Sequence, residues 1–271
     1  MRYSRNDHNI GMVGNWKKAI GELASGDWFI LLSDDDYFLD KDFLSKSAAA
    51  IKKYDPVFVY AGGEVHDVPA GTVKSLVLPF KGLVPGLDVF VSRGTVKPQD
   101  IILCSMIFKR ADVDRLGFLE DQYNLSCDSE FYLKLCLEGS VYALDTKASA
   151  YIKHGQNLVD AINRNRWLRD RNLDHLIKPY RYAEDKGIAF NRLQEFRKNS
   201  SLDRNVTNTF LLLRLHSEYW YAACRDRVAS IVPELVDSIE RSFEYRIKLI
   251  LVSLGRSLLK RIFPVSDACQ H

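Results

Sequence analysis

Along the first 155 residues, short apolar runs alternate with stretches whose apolar positions fall at helical spacing. Trp16, Ala19, Ile20 and Leu23 recur with helical period, and Gly26 follows where a helix ends in a left-handed residue. Asp27-Trp28-Phe29-Ile30-Leu31-Leu32 is a nearly unbroken apolar run, the pattern of a central strand buried on both faces of a parallel sheet. It stops on Ser33 and three successive aspartates, Asp34, Asp35 and Asp36. Asp40 then caps a second amphipathic helix through Phe43, Leu44, Ala48 and Ile51, which Pro56 ends.

Val57–Tyr60 reads as a strand running into a glycine-containing loop, Gly62 to Gly71. Residues 76–98 carry prolines and glycines without period and read as an irregular binding loop. Ile101–Phe108 is the next buried strand, and Lys109–Leu116 a short helix. A further helix opens at Cys127-Asp128 and carries Phe131, Leu135 and Cys136 up to Gly139; Val141–Leu144 and Ala150–Ile152 are weak strands that close near His154. Strands alternating with helices predict an α/β fold, a mostly parallel sheet flanked by helices. Beyond about Asn157 strand signals vanish and basic helical runs take over, among them residues 163–169. This divides the chain into an α/β part, residues 1–155, and a helical, basic part, residues 156–271.

Composition narrows the function classes. The 271 residues, 46% apolar, can bury a sizeable core, and a net charge of +3 with no base-reading motif gives no reason to expect a nucleic-acid partner. Five scattered cysteines, without a C-x-x-C pair, fit reduced thiols in a cytoplasmic setting, not a disulfide frame or a zinc site. The N-terminus lacks the apolar core of a signal peptide, and no apolar run reaches the roughly 18 residues of a membrane span. The last helix, residues 239–262, has Phe243, Ile247, Ile250, Leu251, Leu254 and Leu258 on one face, with Arg241, Arg246, Lys248, Arg256 and Lys260 toward the other. Two readings stay open for it: ordinary packing with a solvated charged face, or peripheral attachment to an anionic membrane surface.

The aspartates carry the candidate chemistry. Adjacent carboxylates repel one another, and a cation or open water at a strand end offsets that repulsion. Turn formation and helix capping would use the same residues. An EF-hand is excluded, because the sixth position counted from Asp34 is Leu39 where glycine is required.

Taken together, the segment His8–Asp36 resembles the signature of the family 2 glycosyltransferases, enzymes of the GT-A fold. Asn9 and Gly11 match its Asn-x-Gly, Asn15 its Asn-led helix, Ala24 and Gly26 its Ala-x-Gly, and Asp34–Asp36 its DxD-type motif. Downstream, Gly117-Phe118-Leu119-Glu120, Cys127-Asp128 and Tyr151-Ile152-Lys153-His154 match the family's Gly-x-Phe-x-Glu, its acidic pair and its closing Tyr-x-x-His, with Cys127 in place of the first acid. The resemblance implies a GT-A-like domain that lacks the usual N-terminal nucleotide-binding strands. It implies metal-dependent, inverting transfer from a nucleotide-diphosphate sugar to a saccharide or lipid-linked acceptor, as in bacterial surface polysaccharide synthesis.

On that resemblance Asp128 is the catalytic base, and Asn9, Gly11, Asn15, Asp34 and Asp35 contact the donor. Asp36, with Asp34 and His154, would hold Mg²⁺ or Mn²⁺. Helix capping for Asp128 and a structural role for His154 are the plain alternatives. A second class of function is a catalytically incomplete or partner-dependent fragment, or a non-enzymatic module at the membrane surface.

Overall fold

The computed structural model describes residues 3–95, 101–119, 126–155 and 172–262, with side chains described as far as residue 254. Glu120, the basic run 163–169, Cys269 and the side chain of Leu258 lie outside these. Helix α1 (Gly11–Lys18) continues as a π-turn (Ala19–Leu23) into β1 (Trp28–Phe29), then β2 (Tyr37–Phe38), α2 (Phe43–Tyr54), β3 (Phe58–Asp67), β4 (Thr72–Leu76) and β5 (Gly82–Pro85). Next come α3 (Gly86–Val91), a 3-10 turn (Leu103–Ser105), β6 (Met106–Lys109), α4 (Asp112–Arg115), α5 (Cys127–Cys136) and β7 (Ser140–Lys153). Among the described residues six helices follow: α6 (Asp174–Asp185), α7 (Phe190–Ser200), α8 (Leu202–His216), α9 (Glu218–Ile231), α10 (Pro233–Arg241) and α11 (Phe243–Ile262). By its contacts the chain divides into two compact units, residues 1–201 and residues 202–271.

The first unit is α/β, a single sheet in the order β1-β6-β3-β7-β2, with β4 added to β3 and β5 to β7. The helix-flanked α/β class is as expected, but the strand directions are mixed. Only β3 and β7 run parallel; β1–β6, β3–β6, β3–β4, β5–β7 and β2–β7 are antiparallel. The tight turn after Asp67, where Val68 O accepts from Gly71 N, allows β4 to return beside β3 without a crossover helix.

Two expectations change with this sheet. The apolar run Asp27–Leu32 is not a central strand. Only Trp28 and Phe29 pair, at the end of the strand order, and Leu32 is 45% exposed. Its apolar character comes from cover on two sides: Phe29 packs 5.6 Å from Phe108, while Trp28 and Ile30 lean on the cluster of Phe43, Val59, Ile107 and Ala148. Conversely, the two weak strands near His154 are one strand, β7, which pairs with β3, β5 and β2. The loop expected from Gly62 is strand as far as Asp67, and residues 82–91 are ordered as β5 and α3.

β1 and β2 stand at opposite ends of the strand order, so Ile30–Asp36 has to cross the rim of β6, β3 and β7 to join them. The aspartates ride on that crossing. An aromatic stack anchors the face below: Phe108 lies 6.0 Å from Phe58 and 5.3 Å from Phe131, which in turn stacks 4.4 Å from Phe118. Phe131 thereby fixes α5, and with it Asp128, against the sheet.

The far end of α5 is clamped by charge. Glu138 accepts from Tyr182 Oη at 2.6 Å and pairs with Lys186 at 2.7 Å and Arg115 at 2.8 Å. Burial alone would raise its carboxyl, but Lys186, Tyr182 and Arg115 hold it down at about 2. A carboxylate depressed on folding contributes stability above its unfolded value, lost as pH falls through its folded one. Glu138→Gln is therefore expected to cost on the order of 2 kcal/mol near neutral pH after allowance for partial exposure. The difference from the parent should shrink as pH falls from about 4.5 toward 2, as read by urea melts across that range.

Candidate active site

The acidic crossing is built from a turn in which Ser33 O accepts from Asp36 N at 3.2 Å. Asp34 is exposed, whereas Asp35 and Asp36 are partly covered. Asp35 Oδ2 lies 3.1 Å from His154 Nε2, so the residue just past β7 meets the loop as a hydrogen-bond partner. Asp36 Oδ1 accepts from the Ile152 N–H at 2.9 Å. Burial pushes the Asp36 carboxyl up, against the pull of that N–H, and the like charges of Asp35 and Asp34 add to the rise.

Beneath Asp36 lies a buried polar network that sequence reasoning missed. The Cys104 thiol, beside Asp36, donates to Ser149 Oγ at 3.1 Å, and Ser149 and Ser105 share a 2.5 Å hydrogen bond. Ser105 donates on to Gly62 O at 3.1 Å. Burial pushes the Cys104 thiol up to about 12, so it is a neutral donor at physiological pH. Three small polar residues inside apolar strands were the available signal, since a buried hydroxyl or thiol needs a partner.

A second missed group flanks the loop. Tyr37 Oη sits 3.4 Å from His66 Nδ1, His66 Nε2 lies 3.0 Å from Glu64 Oε2, and Lys147 holds the other Glu64 oxygen at 3.0 Å. Hydrogen bonds from His66 and Lys147 hold the Glu64 carboxyl below its ordinary range. Glu64 and His66 alternate along β3, a period-two signal hidden when that segment is read as a loop.

Asp128 opens α5, and its Oδ1 accepts from Ser129 N at 2.7 Å. Burial pushes its carboxyl up; the Ser129 N–H and the Arg93 guanidinium pull the other way. Arg93 also acts on Tyr132 and on His175, whose imidazole burial drives down to about 3 and therefore neutral. Beside Arg93 is a cavity of about 10 Å³ bordered by Tyr60, Tyr132, Phe80 and Ile101. The Tyr60 hydroxyl is buried with no hydrogen-bond partner, and the cavity has room for about one water.

The N-terminal candidates form a separate small structure. Asn9 Oδ1 accepts from Gly11 N at 2.8 Å, and Gly11 takes φ +74° at the start of α1, a turn that favours glycine. Asn15 Oδ1 accepts from Asn6 Nδ2 at 3.1 Å, and Lys18 holds the other side of Asn6 at 2.8 Å. A groove of about 680 Å³ runs beside α1, lined by Lys17, Ile20, Trp28, Arg110 and Phe118 among others. Neither Asp128 nor the three aspartates line it.

Among the described residues, no group of three or more His, Cys, Asp and Glu is arranged to hold a metal ion. One or two carboxylates are enough for Mg²⁺ or Mn²⁺ when phosphate oxygens and water complete the shell. The oxygen donors of the crossing, with Asp36 raised first by burial and further by the like charges of Asp35 and Asp34, fit that kind of shared site.

No protein-family model matches the sequence, and none of the curated proteins does. Among solved structures the chain is similar to S. aureus TarS 1–349 in complex with UDP, with TM-score 0.44 and 14% identity over 92% of this chain and 72% of that one. It is similar as well to a longer S. aureus TarS chain, with TM-score 0.47 and 13% identity, over 90% of this chain and 42% of that one. Identities and TM-scores this low say nothing of shared chemistry.

Proposed function

We propose that the chain transfers a glycosyl group from a nucleotide-diphosphate sugar to a saccharide or lipid-linked acceptor, with inversion and with Mg²⁺ or Mn²⁺. The observation that carries this reading is the acidic crossing itself, where Asp35 meets His154 and Asp36 is raised by burial and by its like-charged neighbours, with a second carboxyl raised by burial at the start of α5. A base of raised pKa takes a proton from a hydroxyl more readily than an ordinary carboxylate does. In the proposed step the acceptor oxygen forms its bond to the anomeric carbon as the bond from that carbon to the phosphate oxygen breaks. The acceptor proton passes to Asp128, and the nucleotide diphosphate leaves with the electron pair. Asp36 and Asp34, with His154 beside Asp35, would hold the cation, whose chemistry is to neutralise the departing diphosphate. Asn9, Gly11 and Asn15 are proposed donor contacts on the resemblance alone.

One observation favours a second reading, a catalytically incomplete chain that needs a partner: the large groove lies beside α1 and not beside the acidic crossing. Calorimetric titration with UDP and with GDP, with and without Mn²⁺, separates the two. Saturable binding that disappears with EDTA and with Asp36→Asn is the expected result. Absence of binding for both nucleotides in Mn²⁺ would leave the second reading standing.

A further inference from the structure

The last helix packs by a different face from the apolar stripe that its sequence displays. At about 100° per residue, Tyr245, Leu249 and Val252 share one face of α11, and Phe243, Ile247, Ile250, Leu251 and Leu254 share the opposite one. Tyr245 is buried, its hydroxyl 3.4 Å from that of Tyr221, and Leu249 and Val252 are partly covered. That is the packed face. The other apolar face points to solvent: Phe243 is 79% exposed, Ile250 60%, Leu251 61% and Leu254 62%. Together with Ile247 these side chains leave on the order of 600 Å² of surface open, at the upper end of what soluble monomers tolerate in one patch.

Charge flanks this face. Arg246 is exposed on one side of the stripe, and Lys248, paired with Glu244, lies on the other. By sequence, residues 239–262 hold six Lys or Arg against two Glu, a net +4, whereas the entire chain carries +3. The segment therefore concentrates positive charge around an outward apolar stripe. The contact of Tyr221 with Tyr245 also sets the first turn of α9 beside that of α11. Tyr219 (75% exposed) and Trp220 (46%) stand on that turn. Amphipathic aromatic rings of this kind settle at the level of lipid headgroups.

We propose that the outer face of α11 docks the second unit onto an anionic lipid bilayer, with the apolar stripe in the acyl boundary and the flanking cations among acidic headgroups. The helix lies in the plane of the surface; among the described residues no helix is long and apolar enough to cross a membrane. Charge selects this occupant over a second copy of the chain. Two such faces brought together would oppose like-charged flanks, whereas acidic headgroups complement them. The inference stands independently of the chemistry proposed for the first unit.

The test is flotation of the full chain with vesicles of phosphatidylcholine alone or mixed with phosphatidylglycerol, at moderate and high salt. Flotation is expected to be on the order of tenfold or more stronger on the anionic vesicles and to weaken with salt. Ile250→Glu with Leu254→Glu should lower it by about tenfold or more, and Arg246→Gln by a smaller factor on anionic vesicles only. All these side chains are exposed, and unchanged melting curves confirm that the fold is kept. Equal flotation of the parent and the double variant overturns the proposal. So does a parent that fails to float and is a dimer in solution which the double variant makes monomeric, since α11 would then serve self-association.

Discussion

Replacing Asp128 with asparagine is expected to lower kcat by about 10²- to 10⁴-fold with little change in stability. The two roles available to this residue respond differently to that change. As a first-turn residue that accepts from the Ser129 N–H, asparagine serves about as well as aspartate, since its carbonyl can make the same bond. As a base, asparagine has no proton affinity in the useful range. An inactive, fully stable D128N thus assigns the base role, and an active one leaves Asp128 with a structural role at the start of α5. The parent should show a matching pH profile. With the carboxyl raised by burial, kcat/KM falls on the acid side at a pH above the ordinary aspartate value, because protonation there removes the acceptor for the hydroxyl proton. Asp128→Ala loses the bond to the Ser129 N–H as well and should melt lower, by about 1 kcal/mol of stability.

Gly63→Ala is expected to cost about 3 kcal/mol, or roughly 10 °C in Tm for a unit of this size. A Cβ at Gly63 would stand 2.4 Å from Ser149 O and 2.8 Å from Ile102 Cδ1. The first of these is backbone of the neighbouring strand and cannot rotate aside. The position also falls in the register shift between β3 and β7, where Ala61, Gly62 and Gly63 depart from regular pairing. That shift brings Ser149 under Cys104 and hence under Asp36. The variant should therefore lose the proposed Mn²⁺-dependent nucleotide binding along with stability. Gly21→Ala provides the control: nothing lies within 4 Å of its Cβ, and it should melt within about 0.5 kcal/mol of the parent by differential scanning calorimetry.

Local pattern made some of this legible. Cys127–Cys136 announces itself as a helix through Phe131 and Leu135, and Asp128 falls at its start as expected. The two weak runs around Asp145 and Lys147 hide a single strand because the polar middle of β7 reaches outward, Lys147 to Glu64 and Ser75, Asp145 to Lys81. Alternation alone cannot tell such a strand from a break. The run Asp27–Leu32 misleads for the opposite reason. Residues capped by helices look apolar whether they lie mid-sheet or at the end of the strand order. Neither reading could anticipate the network under Asp36, since Cys104, Ser105 and Ser149 meet only through tertiary pairing.

The outward stripe on α11 is the instructive case. Sequence gives an amphipathic helix, and the default is that its apolar side faces the core. Here Tyr245, Leu249 and Val252 take the core, and the stronger apolar side is left over. A helix with two apolar faces and a charged flank carries a spare face, which only the packed structure identifies.

The path of Ile30–Asp36 across the rim also sets a timetable for assembly. β1 has no mate until β6, some eighty residues later, has been synthesised, and β2 none until β7, more than a hundred residues on. Early on the ribosome the hairpin of β3 and β4 can close by itself, while both ends of the acidic segment dangle. The aspartates reach their stations only once β6 and β7 have formed, so a nascent or partly unfolded chain would lose the arrangement of its aspartates before it lost the hairpin of β3 and β4.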